Sequence, residues 1–247
     1  MRRLAKTGMS DPVVQYAACR IRSLAGDVMA AQFGAERSLV DTRHGPAGLL
    51  RSAAEQPWSI LVLGHGARGG ADARELGWLA TDLPAMGICV VRVEQPWRVA
   101  GRKVASRASV LDEGFIDVVS RLPHGAPLVV GGRSSGARVA CRTAISLGAV
   151  GCLALAFPLH PPWRPDQTRL PELSGNGVPT LVVQGDRDPF GAPSDFAEVP
   201  DGIRIAPVIA ADHECAVGTD SGRTAALTRA DLVGCVLDWL HETVPGP

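Results

Sequence analysis

The sequence predicts an α/β domain with a mostly parallel central sheet and helices on both faces. Apolar runs of strand length alternate with amphipathic helical stretches from residue 59 to residue 241. Strands that alternate with helices in this way need crossover connections, which give parallel strand pairs with both faces of the sheet covered. The chain has 247 residues, a length that one such domain can fill.

The predicted elements begin with a β-hairpin, because residues 38–41 and 48–51 flank the turn-rich stretch 43–47. The later strands are continuous apolar runs, as buried parallel strands tend to be. They are predicted at residues 59–64, 87–93, 127–130, 152–157, 180–184 and 203–209. Helices are predicted at residues 76–83, 104–122, 137–147 and 224–241. The apolar face of the last helix is expected to consist of Leu227, Ala230, Val233, Leu237 and Leu240.

Two segments fall outside this alternation. Residues 1–35 are weakly patterned, so we interpret them as an N-terminal extension to a single domain over residues 36–247. Met9 is an alternative start to Met1. Residues 158–179 are rich in proline and polar residues and lie between two strands, which predicts a short lid.

The composition argues against several kinds of partner. Lysine plus arginine equals aspartate plus glutamate at 25 each, without a basic stripe, so neither nucleic acid nor a membrane surface is expected. The apolar runs are also too short to span a bilayer. Six scattered cysteines form neither a CxxC pair nor a zinc-type cluster with histidine, which predicts a reduced cytoplasmic protein without a metal or cofactor.

The pentapeptide Gly132-Arg133-Ser134-Ser135-Gly136 is the first feature that indicates chemistry. In a strand-to-helix turn, glycines two residues before and after a serine allow close backbone approach and expose the serine hydroxyl. Such a motif also arises by chance in loops rich in glycine and serine. Because this one lies between a predicted strand and a predicted helix, we interpret Ser134 as a nucleophile beside a helix N-terminus that favours negative charge.

A general base and its acid follow in the order expected for this type of serine site. His213 follows strand 203–209, and two aspartates, Asp186 and Asp188, follow strand 180–184. All are therefore expected at the carboxyl end of the sheet. Asp186 could bind only the turn backbone, whereas Asp188 lies deeper in its loop, so Asp188 is favoured as the acid without the alternative being excluded.

An oxyanion hole needs two backbone N–H groups, one from the residue after the nucleophile and one from an earlier loop. Ser135 supplies the first, and Ala67 in the glycine-rich loop 64–70 is the candidate for the second. His65 is expected to order this loop and to lie near the substrate. Arg133 and Arg68 are candidates for holding a carboxylate or phosphate of the substrate, although structural pairing or solvent exposure explains both equally well.

The expected substrate pocket is lined by aromatic and apolar side chains. If residues 158–179 fold over the site, the lining would consist of Trp97, Phe157, Leu159 and Trp163. His160 lies in the same segment, and it could face either the pocket or the solvent.

These segments together resemble the α/β-hydrolase superfamily, and more narrowly the dienelactone-hydrolase-related group that includes testis-expressed-protein-like and chromatin-complex-subunit-like hydrolase domains. The resemblance rests on residues 63–67, 132–136, 157–162 and 184–191 and spans roughly residues 37–243. It implies an α/β-hydrolase fold with Ser134, Asp188 and His213 as a triad. It favours Asp188 over Asp186, because the loop of the family has the form GxxDPFG. Dienelactone hydrolases themselves carry a cysteine nucleophile, so their activity is not implied.

The function expected from the sequence is hydrolysis of a small carboxylic ester or a related acyl bond through an acyl-serine intermediate. The expected partner is a small-molecule acyl substrate. Two alternatives remain open at this point. A scaffold or binding protein can retain the fold without activity, and an acyltransferase can use the same residues with an alcohol or amine in place of water.

Overall fold

The computed structural model describes residues 36–123, 125–196 and 199–245, so the predicted N-terminal extension lies outside the described residues. The strands are β1 (Glu36–Thr42), β2 (Gly45–Ser52), β3 (Ser59–Gly64), β4 (Ile88–Glu94), β5 (Leu128–Arg133), β6 (Gly151–Leu155), β7 (Thr180–Gly185) and β8 (Ile203–Val208). The α-helices are α1 (Arg74–Asp82), α2 (Pro96–Val99), α3 (Ala108–Val119), α4 (Ser135–Thr143), α5 (Leu170–Ser174) and α6 (Ala225–Thr243). Among these helices none is long and apolar enough to cross a membrane.

All eight strands form one sheet in the order β1-β2-β4-β3-β5-β6-β7-β8. The pairs from β4 to β8 are parallel, and only β1 and β2 join antiparallel. This confirms the predicted hairpin and the mostly parallel sheet. Because β5 lies between β3 and β6, the residues that follow it emerge near the middle of the carboxyl edge, where open α/β sheets hold their ligands.

The core lies on both faces of the sheet, as predicted. Side chains alternate across a strand, so Ile60 and Val62 of β3 join one cluster while Leu61 and Leu63 join the other. The first cluster includes the buried residues of α3 and α4, and the second includes those of α1 and α6. The continuous apolar run of β3 is therefore explained by burial on both sides.

The predicted helix 104–122 is wrong in its first turn. Helix α3 begins only at Ala108, and Val104 is 79% exposed in the loop before it. Leu111, Phe115 and Val118 reach the core at helical spacing, so packing stabilises a helix from this point and not earlier.

The predicted core face of the last helix is wrong in part. Leu240 is buried, and Val233 and Leu237 pack against the core as partly buried residues, but the first two residues of the predicted face do not reach it. Leu227 is 52% exposed, and Ala230 is exposed as well. The buried residues of α6 are Thr228, Leu232, Val236, Trp239 and Leu240. Both sets have helical periodicity, so the pattern alone did not decide between them; contact with the sheet selects the face that carries Trp239.

The predicted lid, residues 158–179, is fastened to the helix that follows β5. Glu172 of α5 accepts hydrogen bonds from Arg138 and Arg142 of α4, with the Arg138 Nε at 2.8 Å and the Arg142 Nη1 at 2.6 Å from Oε2. Leu173 is fully buried beside them. The segment is thus held against the domain, and its role as a cover for a substrate stays a prediction.

An ion pair at the carboxyl edge joins the hairpin to α3. Arg43, in the turn between β1 and β2, donates to Asp117 from its Nη2 at 2.8 Å, its Nε at 3.0 Å and its backbone N–H at 2.9 Å. These hydrogen bonds from Arg43 hold the pKa of Asp117 at about 2, below its ordinary value of 3.8.

We expect Asp117→Asn to lower the free energy of unfolding by about 1–2 kcal/mol at neutral pH, because charge-assisted hydrogen bonds are lost beside a partly exposed arginine. The folded-state pKa of Asp117 is depressed, so its contribution is complete above the ordinary value and disappears as the pH falls toward 2. Urea unfolding should therefore show a smaller difference between wild type and variant at about pH 3 than at about pH 7. Asp41→Asn, on the exposed face of the same hairpin, is the control and should change little.

Candidate active site

Ser134 occupies the sharp turn between β5 and α4. Its backbone has φ 54° and ψ −114°, a strained conformation for a residue with a side chain. Its N–H donates to the carbonyl of Leu155 at 2.9 Å, which ties the turn to β6. A Cβ on Gly132 would lie 2.6 Å from the Gly64 carbonyl oxygen, and one on Gly136 would lie 2.4 Å from it. The two glycines predicted to permit close approach are therefore required by the packing.

Ser134, His213 and Asp188 form one chain of hydrogen bonds. The Nε2 of His213 lies 3.0 Å from the Oγ of Ser134, and its Nδ1 lies 2.7 Å from the Oδ2 of Asp188. An ionised carboxylate can only accept, so Nδ1 carries the proton and Nε2 is left to accept from the serine hydroxyl. Asp186 is exposed in the turn after β7, so the geometry selects Asp188 from the two aspartates.

The carboxylate of Asp188 is held from both sides and is fully buried. Its Oδ2 accepts from the Nε2 of Gln184 at 2.9 Å, and its Oδ1 accepts from the backbone N–H of Phe190 at 2.8 Å. The ring of Phe190 packs on His213 with 4.3 Å between centroids. Sequence reasoning missed Gln184. The available signal was a polar side chain at the end of the otherwise apolar strand β7.

Arg133 lies inside the protein and does not face the substrate, which corrects one of the two interpretations of this residue. Its Nη2 donates to the backbone carbonyl of His213 at 3.0 Å, and its Nε lies 2.9 Å from the Oε1 of Glu75. The Nε–Oε1 pair is not aligned for a hydrogen bond, so its attraction is mainly Coulombic. Burial raises the pKa of Glu75, and the charge of Arg133 opposes that rise. Arg133 therefore positions the histidine loop.

Glu75 was not found from the sequence, although a signal existed. It lies one helical turn before Leu79 on the apolar face of α1, and it is 1% exposed. A carboxylate on such a face needs a cation, because a buried charge without a partner is costly. Arg133 is that cation.

His65 and Trp97 were expected near the substrate, and the structure places both inside the protein. The Nδ1 of His65 donates to the Gly66 carbonyl at 2.8 Å, while its Nε2 accepts from the N–H of Gln95 at 3.1 Å. Burial lowers the pKa of His65, in agreement with a neutral ring that donates at one nitrogen and accepts at the other. Trp97 is 4% exposed, with its ring centroid 5.6 Å from that of His65. Both residues fix the loop after β3.

The candidate oxyanion donors belong to two segments that lie beside the nucleophile. Ser135 is the first residue of α4, where backbone N–H groups lack acceptors within the helix. Ala67 is exposed in the loop after β3. A Cβ on Gly66 would lie 3.4 Å from the Cβ of Ser134, so this loop passes directly beside the nucleophile. The packing agrees with the expected pair of donors, whose role stays a prediction.

The predicted aromatic pocket is not formed. Phe157 and Leu159 are buried in the core, and Trp163 is 78% exposed. The backbone N–H of the partly buried His160 donates to the Phe190 carbonyl at 3.1 Å, which connects residues 158–179 to the acid loop. The strongly apolar side chains of this region were needed to fill the core between sheet and helices, and so they do not line a surface pocket.

The sequence between residues 57 and 240 matches a family of alpha/beta hydrolase domains. The chain belongs to this α/β hydrolase family. The match covers most of the chain and includes every residue of the Ser134 site, so the resemblance to the α/β-hydrolase superfamily is confirmed.

Solved structures share the fold of this α/β hydrolase. XC6422 from Xanthomonas campestris, described as a serine hydrolase without a lid, aligns with TM-score 0.69 and 18% identity over 87% of this chain and 97% of its own. Dienelactone hydrolase from Anabaena variabilis aligns with TM-score 0.63 and 15% identity over 86% and 100%. Est1E from Butyrivibrio proteoclasticus, solved with ferulic acid, aligns with TM-score 0.65 and 11% identity over 83% and 99%. No curated protein sequence matches the chain.

The buried Glu75–Arg133 pair can be tested through the stability of the protein. We expect Glu75→Leu and Arg133→Leu each to lower the free energy of unfolding by about 3–5 kcal/mol, because each leaves one charge buried without its partner. The double variant should recover much of this loss, since two leucines leave no unpaired charge. Urea unfolding of the four proteins measures the coupling; strict additivity of the two losses would contradict the buried-pair interpretation.

Proposed function

We propose that this α/β hydrolase cleaves small carboxylic esters or related acyl bonds through an acyl-Ser134 intermediate. The observation that carries the proposal is the hydrogen-bonded chain from Asp188 through His213 to Ser134. Three residues from three separate loops meet in the order and geometry of a serine nucleophile, its base and the acid that orients the base. Membership of the α/β hydrolase family supports the same reaction class.

In the proposed acylation step, the Oγ of Ser134 attacks the acyl carbon while its proton moves to the Nε2 of His213. The carbonyl oxygen becomes an oxyanion, which the N–H groups of Ser135 and Ala67 would stabilise. His213 then gives its proton to the leaving alkoxide as the bond from carbon to that oxygen breaks. The products are the free alcohol and the acyl-serine.

Deacylation repeats these steps with water. His213 takes a proton from water, the hydroxide oxygen adds to the acyl carbon, and collapse of the second tetrahedral intermediate returns the proton to Ser134. Throughout, Asp188 keeps the imidazole in one tautomer and stabilises its charged form. Gln184 and the N–H of Phe190 support this role, because between them they bind both oxygens of the carboxylate and hold it in place.

The free cysteines indicate the cellular compartment that we propose for the reaction. The five cysteines in the described part of the chain, Cys89, Cys141, Cys152, Cys215 and Cys235, are all free. Burial raises the pKa of Cys215, in the histidine loop, to about 12, which disfavours the nucleophilic thiolate form. We therefore propose work in the reducing cytoplasm, with a small acyl substrate as the partner.

A fluorophosphonate probe tests the nucleophile directly. The wild type is expected to become labelled, and Ser134→Ala should lose all labelling, because the probe reacts with an activated serine hydroxyl. Ser135→Ala is the matched control, since it removes the neighbouring hydroxyl and leaves its backbone N–H. An unlabelled wild type beside a labelled reference esterase would instead support the non-catalytic scaffold.

A pair of aspartate variants tests the choice of acid. Asp188→Asn should lower kcat on a small ester by about 10³–10⁴-fold, because the histidine loses the charge that fixes its tautomer. Asp186→Asn removes a charge two residues away in the exposed turn and should retain wild-type kcat. A panel of p-nitrophenyl esters with acyl chains of increasing length supplies the assay. Equal losses in both variants would contradict the assignment of Asp188.

Acyl transfer is measured in the same assay. Adding a competing alcohol to the ester reaction distinguishes the products, because hydrolysis gives only the free acid while transfer gives a new ester. We expect the free acid as the main product. A new ester as the main product would assign the site to an acyltransferase.

A further inference from the structure

A cavity outside the Ser134 site opens at the carboxyl end of β4. Its volume is about 520 Å³, which lies in the range of small-molecule sites. The turn between β1 and β2, helix α2, residues 102–107 and the start of α3 surround it. None of its lining residues belongs to the turn at Ser134, the acid loop or the histidine loop.

The floor of the cavity is apolar and fixed in place. Trp97 and Leu111 are buried in the core, and Val110 completes the apolar surface. The side-chain Nε2 of Gln95 donates to the Leu111 carbonyl at 3.1 Å, and the backbone N–H of Gln95 donates to His65. A ligand would thus meet a preformed surface, which lowers the ordering cost of binding.

The mouth of the cavity carries positive charge that the protein leaves uncompensated. Arg102 and Arg107 are both exposed lining residues, and within the described ranges neither has an ion-pair partner. His44 also lines the cavity, but its Nε2 is 2.6 Å from a carboxylate oxygen of Glu113. Glu113 therefore interacts with His44 and with neither arginine, so the two arginines remain available to a ligand.

We propose that this cavity binds a small organic anion with an apolar tail. The tail would cover Trp97, Val110 and Leu111. Removing this apolar surface from water favours binding in proportion to the area buried. The anionic head, a carboxylate, would meet Arg102 and Arg107, since a guanidinium group offers paired donors that match the two carboxylate oxygens. Ser106 lies between the two arginines in the chain and lines the same mouth, so its hydroxyl is a further donor. This inference does not depend on hydrolysis at Ser134.

Isothermal titration calorimetry of the full chain with hexanoate tests the proposal. Wild type and Ser134→Ala should bind one hexanoate per chain with equal affinity, because the cavity does not include the nucleophile. Arg102→Gln/Arg107→Gln should weaken binding about tenfold or more, since hydrogen bonds to a charged group are lost. Ala100→Trp, which places a large ring at the cavity wall, should weaken binding without changing the charge.

Matched controls separate this site from general attraction of anions. Arg51→Gln/Arg164→Gln removes two exposed arginines elsewhere on the chain and should leave the affinity for hexanoate unchanged. 1-Hexanol and inorganic phosphate should each bind much more weakly than hexanoate, because one lacks the charge and the other the tail. The proposal is overturned by absence of binding at millimolar hexanoate or by unchanged affinity in the double arginine variant. Loss of binding after fluorophosphonate labelling of Ser134 would also overturn it, because it would place the anion in the Ser134 site.

Discussion

Backbone contact at the junction of β3, β5 and α4 leaves no room for a side chain at two positions. The carbonyl oxygen of Gly64 lies where a Cβ of Gly132 or Gly136 would be placed. This contact brings the loop after β3 against the turn that carries Ser134, and it aims the N-terminus of α4 at the same point. The nucleophile and both candidate oxyanion donors depend on it, because a shift of one ångström at a reacting group is enough to lose much of the rate.

Buried charge extends this arrangement to the remaining loops. Arg133, the last residue of β5, is buried. Its side chain pairs with Glu75 of α1 and donates to the backbone carbonyl of His213. Asp188 is buried beside the ring of His213 and accepts one hydrogen bond from Gln184 at the end of β7 and one from the backbone N–H of Phe190 in its own loop. Each charge is costly to bury alone, so the partners are constrained to meet. The position of the histidine is therefore fixed from its backbone by Arg133 and from its ring by Asp188.

Hydrogen bonds connect the cavity at the end of β4 to the loop after β3. Gln95 lines the cavity and donates to His65, which in turn donates to Gly66. Their hydrogen bonds give the cavity a rigid floor and give the loop after β3 a rigid base. His65 and Trp97 are buried because they pack on each other and support the loop after β3 from inside the protein.

The sequence by itself determined the strand order along the chain, the turn at Ser134 and the sequence of nucleophile, acid and base, because all of these are carried by local spacing. Apolar runs of strand length predict strands, and glycines at fixed positions around a serine predict a sharp turn, without knowledge of distant neighbours. The sequence favoured Asp188 over Asp186 as the acid, and the distance of 2.7 Å to His213 then selected Asp188. Tertiary structure alone decided that Arg133 points inward to Glu75, that Trp163 is exposed, and that α6 packs through Leu232 and Trp239 and not through Leu227. The reason is physical: a side chain is buried by neighbours distant in the sequence, and helical periodicity allows more than one face until the sheet selects one.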